Sequence, residues 1–145
     1  MADDYASHLP VLEAVCQLVK PRSVLEFGGG LHSTPFLLSL PIERLICVET
    51  GPDWLERITE EISDPKLHLR PNAKDLERGD LAGFDLVFID DGASRDERDH
   101  TIRWVLGQQH PPTVIHDAEV YATVIDEFTS EYAVIPTQPE TAVVW

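Results

Sequence analysis

The sequence predicts an α/β domain: a three-layer sandwich around a seven-stranded, mostly parallel sheet that closes with a C-terminal antiparallel hairpin. Three observations predict it. Helix-like and strand-like segments alternate along the chain, the pattern left when strands are joined by crossover helices. The strand-like runs, "FDLVFID" (84–90) above all, are almost unbroken in apolar residues, as expected for strands covered on both faces. Three glycines, Gly28, Gly29 and Gly30, follow directly on the first such run.

Taken in order, Pro10 suits the first turn of a helix reaching about Val19, with Leu12, Val15, Cys16 and Val19 on one face. "RSVLEF" (22–27) is the first strand. Thr34 offers an N-cap hydroxyl with Pro35 at the first helical position. "RLICVE" (44–49) is the second strand, and Asp53 with Glu56 reads as an acidic capping box opening a helix to about Ile62. "LHLR" (67–70) is a short third strand, separated from the fourth at 84–90 by a brief polar connection. Residues 95–107 form the next helix, polar in its first half, with Ile102, Val105 and Leu106 facing the core. "PTVIHDA" (112–118) is the fifth strand. "AEVYATVIDEF" places Val120, Val124 and Phe128 at helical spacing, with Tyr121 and Ile125 beside them. "YAVIPTQPETAVVW" reads as two strands around a proline turn, the closing hairpin. One domain over 1–145 is expected, an N-terminal helix in 1–20 leading into a core over 22–145.

Composition narrows the partners. A net charge of −15, with 11 basic against 26 acidic residues, lacks the clustered Lys and Arg that neutralise phosphates, so nucleic acid is not the expected ligand. An Asp/Glu-rich, Lys-poor surface suits a high-salt cytoplasm, and a GC-rich genome leaves a similar bias. No apolar run reaches the ~20 residues of a membrane span, and "MADDYASHLP" lacks the layout of a signal peptide. Cys16 and Cys47 sit inside apolar periodic segments and read as small buried hydrophobes of a reducing compartment. A cytoplasmic protein with no membrane partner is the expectation.

In a doubly wound sheet, ligands bind beyond the carboxyl ends of the strands where the strand order reverses. Glycines at that point permit positive φ and let a ligand approach the backbone, although any tight turn could use them. Glu49 closes the second strand, where a carboxylate can accept hydrogen bonds from both hydroxyls of a ribose and would repel a 2′-phosphate. The pair indicates an unphosphorylated adenosine ligand, either a nicotinamide dinucleotide or S-adenosylmethionine (SAM). Glu26, at the loop's edge, would oppose a pyrophosphate and favour a ligand bearing an ammonium and a sulfonium. Ser33 stands where "GxGxxG" would have its last glycine, and Tyr121 is followed four residues on by Ile125, not Lys. Both points favour SAM over NAD.

"VLEFGGG", "LICVETGPDWLERI", "FDLVFIDDGASRDER" and "TVIHDAE" together resemble the successive motifs of class I SAM-dependent methyltransferases, in particular small Rossmann-like members with a Gly-x-Gly-x-x-Ser-Thr loop. The resemblance spans residues 22–145 and implies the following roles. Gly28, Gly29, Gly30, Ser33 and Thr34 would form the loop around the methionine part of the cofactor, with Glu26 holding its amino group. Glu49 would take the ribose hydroxyls, with Thr50 nearby. Asn72 and Ala73 would frame the adenine, or Asp75 would contact its amino group, and Trp54 could edge that pocket. Asp90 would stand below the methionine moiety, on the reactive side. His32 replaces a glycine of the commonest family loop.

Methyl transfer is an in-line displacement at a carbon on positive sulfur, so alignment and desolvation carry much of it. A base is needed only where the acceptor must lose a proton. Asp90, His116 and Asp117 are the candidate catalytic residues, with Asp91 beside them; His116 could also be a hydrogen-bonded wall residue. Asp90 and Asp117 align with two metal-binding carboxylates of catechol-type O-methyltransferases, but Ala118 replaces the third ligand, an Asn, and no metal is expected. "RDERDH" (95–100) reads first as a solvated helix start and second as a source of an Arg95 or Arg98 clamp for an anionic acceptor. The expected function is SAM-dependent methylation of a small molecule. A non-catalytic SAM-binding subunit and an NAD-dependent oxidoreductase are the alternatives. With no inserted lid, a homodimer is expected to cover the acceptor pocket.

Overall fold

A computed structural model describes residues 6–92 and 94–145; residues 1–5 of the acidic N-terminal segment, and residue 93 inside the fourth-strand motif, lie outside it. The elements are α1 (Leu9–Val19), β1 (Ser23–Phe27), α2 (Ser33–Ser39), β2 (Arg44–Val48), α3 (Pro52–Glu61), β3 (Leu67–Arg70), β4 (Leu86–Ile89), α4 (Arg95–Leu106), β5 (Thr113–His116), α5 (Ala118–Phe128), β6 (Tyr132–Ile135) and β7 (Thr141–Val144). The strands form one sheet in the order β3-β2-β1-β4-β5-β7-β6. β1 to β5 run parallel to one another, whereas β7 is antiparallel to both β5 and β6.

Strand periodicity divides the core into two layers. Leu25, Phe27, Ile46, Val48, Val87 and Ile89 point to the face covered by Ile102 and Val105 of α4 and by Tyr121, Val124 and Ile125 of α5. Their sequence neighbours Val24, Leu45, Leu86 and Phe88 point to the face covered by Val11, Leu12, Val15 and Cys16 of α1 and by Leu37 and Leu38 of α2. Complete burial of such a side chain contributes roughly 1.5–3 kcal/mol, and so fixes which way each strand faces. Cys16 and Cys47 are buried thiols. No helix among the described residues is long and apolar enough to cross a membrane.

Several local expectations are corrected. Thr34 is the second residue of α2, whose N-cap is His32; the Thr34 hydroxyl is used below the loop instead. α3 opens at Pro52 after Gly51, with no side-chain cap, so Asp53 lies in its first turn. Ser94, not singled out above, caps α4 by accepting from the Glu97 amide at 3.3 Å. On α5 the buried face is Ala118, Tyr121, Val124 and Ile125, while Val120 and Phe128 are exposed. The helix is turned about one position from the stripe expected, because Tyr121 and Ala118 are drawn under β5 and β7.

The strand order reverses between β1 and β4: β1 leads outward to β2 and β3, β4 to β5. Beyond the carboxyl ends of those strands lies a crevice of about 510 Å³, the place and size expected for a small-molecule site.

Candidate functional site

The glycine loop forms the crevice floor, and its three glycines do different work. Gly28 has φ +83, and a Cβ there would stand 2.3 Å from the Asp90 carbonyl oxygen. At Gly29 a Cβ would meet Cys47 Sγ at 2.5 Å and Ile58 Cδ1 at 2.7 Å. Backbone packing therefore requires glycine at 28, whereas at 29 the buried Cys47 and Ile58 side chains would have to shift. At Gly30 a Cβ would come no nearer than 3.9 Å to Ser33 Oγ, so this is the position whose open side faces the crevice.

Glu26 lies beneath the loop and is fully buried. Its carboxylate accepts from Ser33 Oγ at 2.5 Å and from Thr34 Oγ1 at 2.8 Å, and Thr34 Oγ1 in turn accepts from the Gly30 amide at 3.0 Å. Burial pushes the Glu26 carboxyl up to about 7, against the hydrogen bonds from Ser33, Thr34 and Cys47. Here Glu26 and Thr34 fix the loop's shape from below; neither lines the crevice, whereas Gly28, Gly29, Gly30 and Ser33 do.

The rim on the β2 side carries Glu49, 9 % exposed, which lines the crevice with Gly51 and Trp54. Glu49 Oε1 accepts from the Gly51 amide at 2.8 Å. Burial raises the Glu49 carboxyl above its ordinary range, partly offset by that amide. An ionised carboxylate has about four lone-pair sites and so can accept more than Gly51 offers. Thr50 turns outward and donates to Glu97 Oε1 at the start of α4. Trp54 is stacked on its other side by the Arg57 guanidinium, 4.7 Å from the ring centroid. Asn72 and Ala73 do not line the crevice. Asn72 Oδ1 accepts from the Lys74 amide at 3.0 Å, and Ala73 packs against the α4/α5 side of the core.

The opposite wall gathers Asp90, His116 and Asp117 from the ends of β4 and β5, as the sequence suggested. It also gathers Arg98 and His8, whose parts were not foreseen. Arg98 is buried, not on a solvated face. It reaches the Asp91 carbonyl through Nε, the His116 carbonyl at 3.2 Å and Asp117 Oδ2 at 2.6 Å through Nη1, and Asp90 Oδ1 at 3.2 Å through Nη2. With every donor face engaged, it is a strut between β4, α4 and β5 rather than a clamp for an incoming anion. Arg95 donates to the Val120 carbonyl at 3.2 Å. Asp117 has φ 56, a left-handed conformation that Asp tolerates better than most residues, and it sits at the N-cap of α5.

His116 is held at both ring nitrogens: Nδ1 lies 3.0 Å from Asp90 Oδ1 and Nε2 lies 3.0 Å from Ser7 Oγ. Burial alone would lower its pKa, but the hydrogen bond and charge of Asp90 outweigh it and raise it. Asp91 faces inward, accepting from Thr101 Oγ1 at 2.5 Å; burial pushes its carboxyl up to about 6. His8, the N-cap of α1, packs its ring 5.0 Å from those of Phe88 and His116. Burial drives it down to about 4. The only signal in the sequence was a histidine where a capping Ser, Thr, Asp or Asn would be ordinary. His8 thus lines the crevice on that side.

No family model matches the sequence, and no curated protein matches it. Solved structures do. An O-methyltransferase so assigned in Klebsiella pneumoniae is similar at 17 % identity, covering 100 % of this chain and 80 % of that one, with a TM-score of 0.74. The O-methyltransferase TomG from Streptomyces achromogenes, solved in complex with SAM, is similar at 16 % identity over 99 % and 79 % of the two chains, TM-score 0.63. Spermidine synthase from Thermotoga maritima is similar at 15 % identity over 86 % and 53 %, TM-score 0.63. The chain has the class I methyltransferase fold. As the third neighbour illustrates, that fold hosts more than one reaction.

Proposed function

We propose that this chain is a SAM-dependent methyltransferase acting on a small molecule. The observation that carries the reading is the pairing, across one crevice at the strand-order reversal, of the Glu49 carboxylate with the open backbone at Gly30. A cofactor with a ribose and an amino-acid tail fits that pairing: Glu49 accepts from the ribose hydroxyls, and the Gly28–Gly30 backbone lies along the tail. Trp54 lines the crevice beside Glu49, which supports it over Asn72 and Ala73 as the edge of the adenine site. The antiparallel β7 between β5 and β6 supports this reading over a nicotinamide dinucleotide domain, whose sheet is parallel throughout.

The bound donor supplies an electrophilic methyl carbon on sulfonium. The remaining work falls to the chain. The loop, locked from beneath by Glu26, holds one geometry without reorganising, and Asp90 with His116 bounds the side from which an acceptor enters. His8 lines that side and adds an apolar ring edge to it. Because both nitrogens of His116 are engaged, orientation of the acceptor is better supported than proton removal by His116.

Calorimetric titration with SAM and with NAD tests the cofactor. Glu49→Ala should weaken SAM binding about tenfold or more, the equivalent of one charged hydrogen bond. Binding of NAD in place of SAM, or unchanged SAM affinity in that variant, overturns the assignment. Formation of S-adenosylhomocysteine across a panel of hydroxyl and amine acceptors tests the reaction. Binding without turnover on every acceptor would leave a cofactor-binding module.

A further inference from the structure

His8 is 2 % exposed, yet neither of its ring nitrogens has a hydrogen-bond partner. Burying an unpaired polar group costs about 1–3 kcal/mol. The same residue forgoes the ~1 kcal/mol that a capping side chain would contribute at the start of α1. A ring needed only to pack on Phe88 would avoid the first of these costs as phenylalanine. What faces His8 instead is a carboxylate and a second imidazole. The ligand-capable atoms of His8, Asp90 and His116 all lie within 4.8 Å of one another.

The geometry points to a binding site for one divalent first-row transition ion, held by the imidazoles of His8 and His116 and the carboxylate of Asp90. His116 Nδ1 and Asp90 Oδ1 are 3.0 Å apart, close to the about 3.3 Å edge of a tetrahedron with metal–ligand bonds of about 2.0–2.1 Å. Two imidazoles and one carboxylate suit Zn²⁺, Fe²⁺, Co²⁺ or Ni²⁺. Mg²⁺ prefers oxygen ligands and retained water. The three ligands come from the N-cap of α1 and the ends of β4 and β5, so the sheet and α1 set their spacing.

Surrounding groups are already arranged as ligand supports. Ser7 Oγ stands 3.0 Å from His116 Nε2 and can accept from an Nε2–H as well as donate. The ring can therefore turn its Nδ1 lone pair toward an ion without losing its other hydrogen bond. Arg98 Nη2 orients Asp90 at 3.2 Å, and Arg98 Nη1 is paired with Asp117 at 2.6 Å. The two carboxylates and one guanidinium leave one negative charge beside the ion. An ion held there would face the acceptor side of the crevice and polarise an oxygen acceptor. That consequence rests on the methyl-transfer reading; uptake of the ion does not.

The test uses the full chain stripped with chelator, with no methyl donor present, so a failure of the methyl-transfer reading leaves it intact. Zn²⁺ is titrated calorimetrically into wild type, His8→Phe and His100→Gln, the last an exposed histidine on α4. Expected is one tight equivalent in wild type and His100→Gln. His8→Phe should bind at least about tenfold more weakly, since loss of a mere supporting group costs 10–100-fold. Should His8→Phe not fold, imidazole NMR of the wild type decides: the His8 and His116 rings must shift on adding Zn²⁺. No uptake, equal affinity in His8→Phe, Mg²⁺ binding as tightly as Zn²⁺, or shifts confined to His68, His100 and His110 would each overturn the site.

Discussion

The two walls of the crevice are built on opposite electrostatic plans. On the β1–β2 side, Glu26 is buried under hydroxyl and thiol groups, and Glu49 leans on a backbone amide. On the β4–β5 side, Asp90, Asp117 and His116 crowd around a single buried guanidinium. The first plan gives a rigid cradle whose shape depends on short-range packing. The second gives a charged cluster whose members hold one another, so that removing one exposes the rest. On the proposed reading, the cofactor would lie against the first wall and the acceptor against the second, and each wall suits its partner.

The sharpest way to break the cradle is Gly28→Ala. The new Cβ would overlap the Asp90 carbonyl, 2.3 Å away, at φ +83, so strain and overpacking add to about 2–5 kcal/mol of destabilisation. Gly30→Ala has room and should stay within about 0.5 kcal/mol of wild type in urea unfolding, while still weakening SAM binding. Equal stability of the two variants would refute the distinction drawn between these glycines. On the other wall, Arg98→Met should cost about 2–4 kcal/mol by the same measurement, toward the lower end for a buried pair because its carboxylate partners keep 25 % and 31 % of their surface. A variant as stable as wild type would mean that Arg98 is not the strut described.

Glu26 gives the cradle a pH signature. Its carboxyl is raised to about 7 from 4.5, so the folded chain binds more protons than the unfolded chain between those values. The contribution of this residue to stability is therefore favourable at low pH, falls as pH rises from 4.5 through 7, and stays low above 7. Glu26→Gln removes the titration and should flatten the curve by up to about 3 kcal/mol between pH 5 and 8. Parallel pH profiles for wild type and variant would count against a neutral buried Glu26.

The contrast between the walls also decides what could be read from sequence. The cradle is local: Glu26, the glycines, Ser33 and Thr34 fall within nine residues, and Glu49 ends the next strand, so spacing revealed them. It did not reveal that Thr34 would bond downward to Glu26 rather than cap α2, because a hydroxyl two residues off either role looks the same in sequence. The charged wall is non-local. Arg98 lies in a run of alternating charge that resembles any solvated helix, and its burial follows from the helix phase set by Ile102 and Val105. His8 meets Asp90 and His116 only because α1 packs on Leu86 and Phe88. Asn72 and Ala73 were assigned through the family resemblance alone; Asn72 is exposed and Ala73 packs against the core, where the connection to β4 also buries Leu81 and Phe84.

A side-chain hydrogen bond joins the walls at the rim. Thr50, just past β2, donates to Glu97 in the first turn of α4; both groups are exposed, so water can replace either partner. Thr50→Val should therefore change stability by less than about 1 kcal/mol. Its larger effect should be on order. With Glu97 released, the first turn of α4 keeps its Ser94 cap but loses its tie to the cradle side, and amide exchange should quicken at 95–98 while β1 and β4 stay protected. If exchange there is unchanged, the walls are held together by the sheet alone.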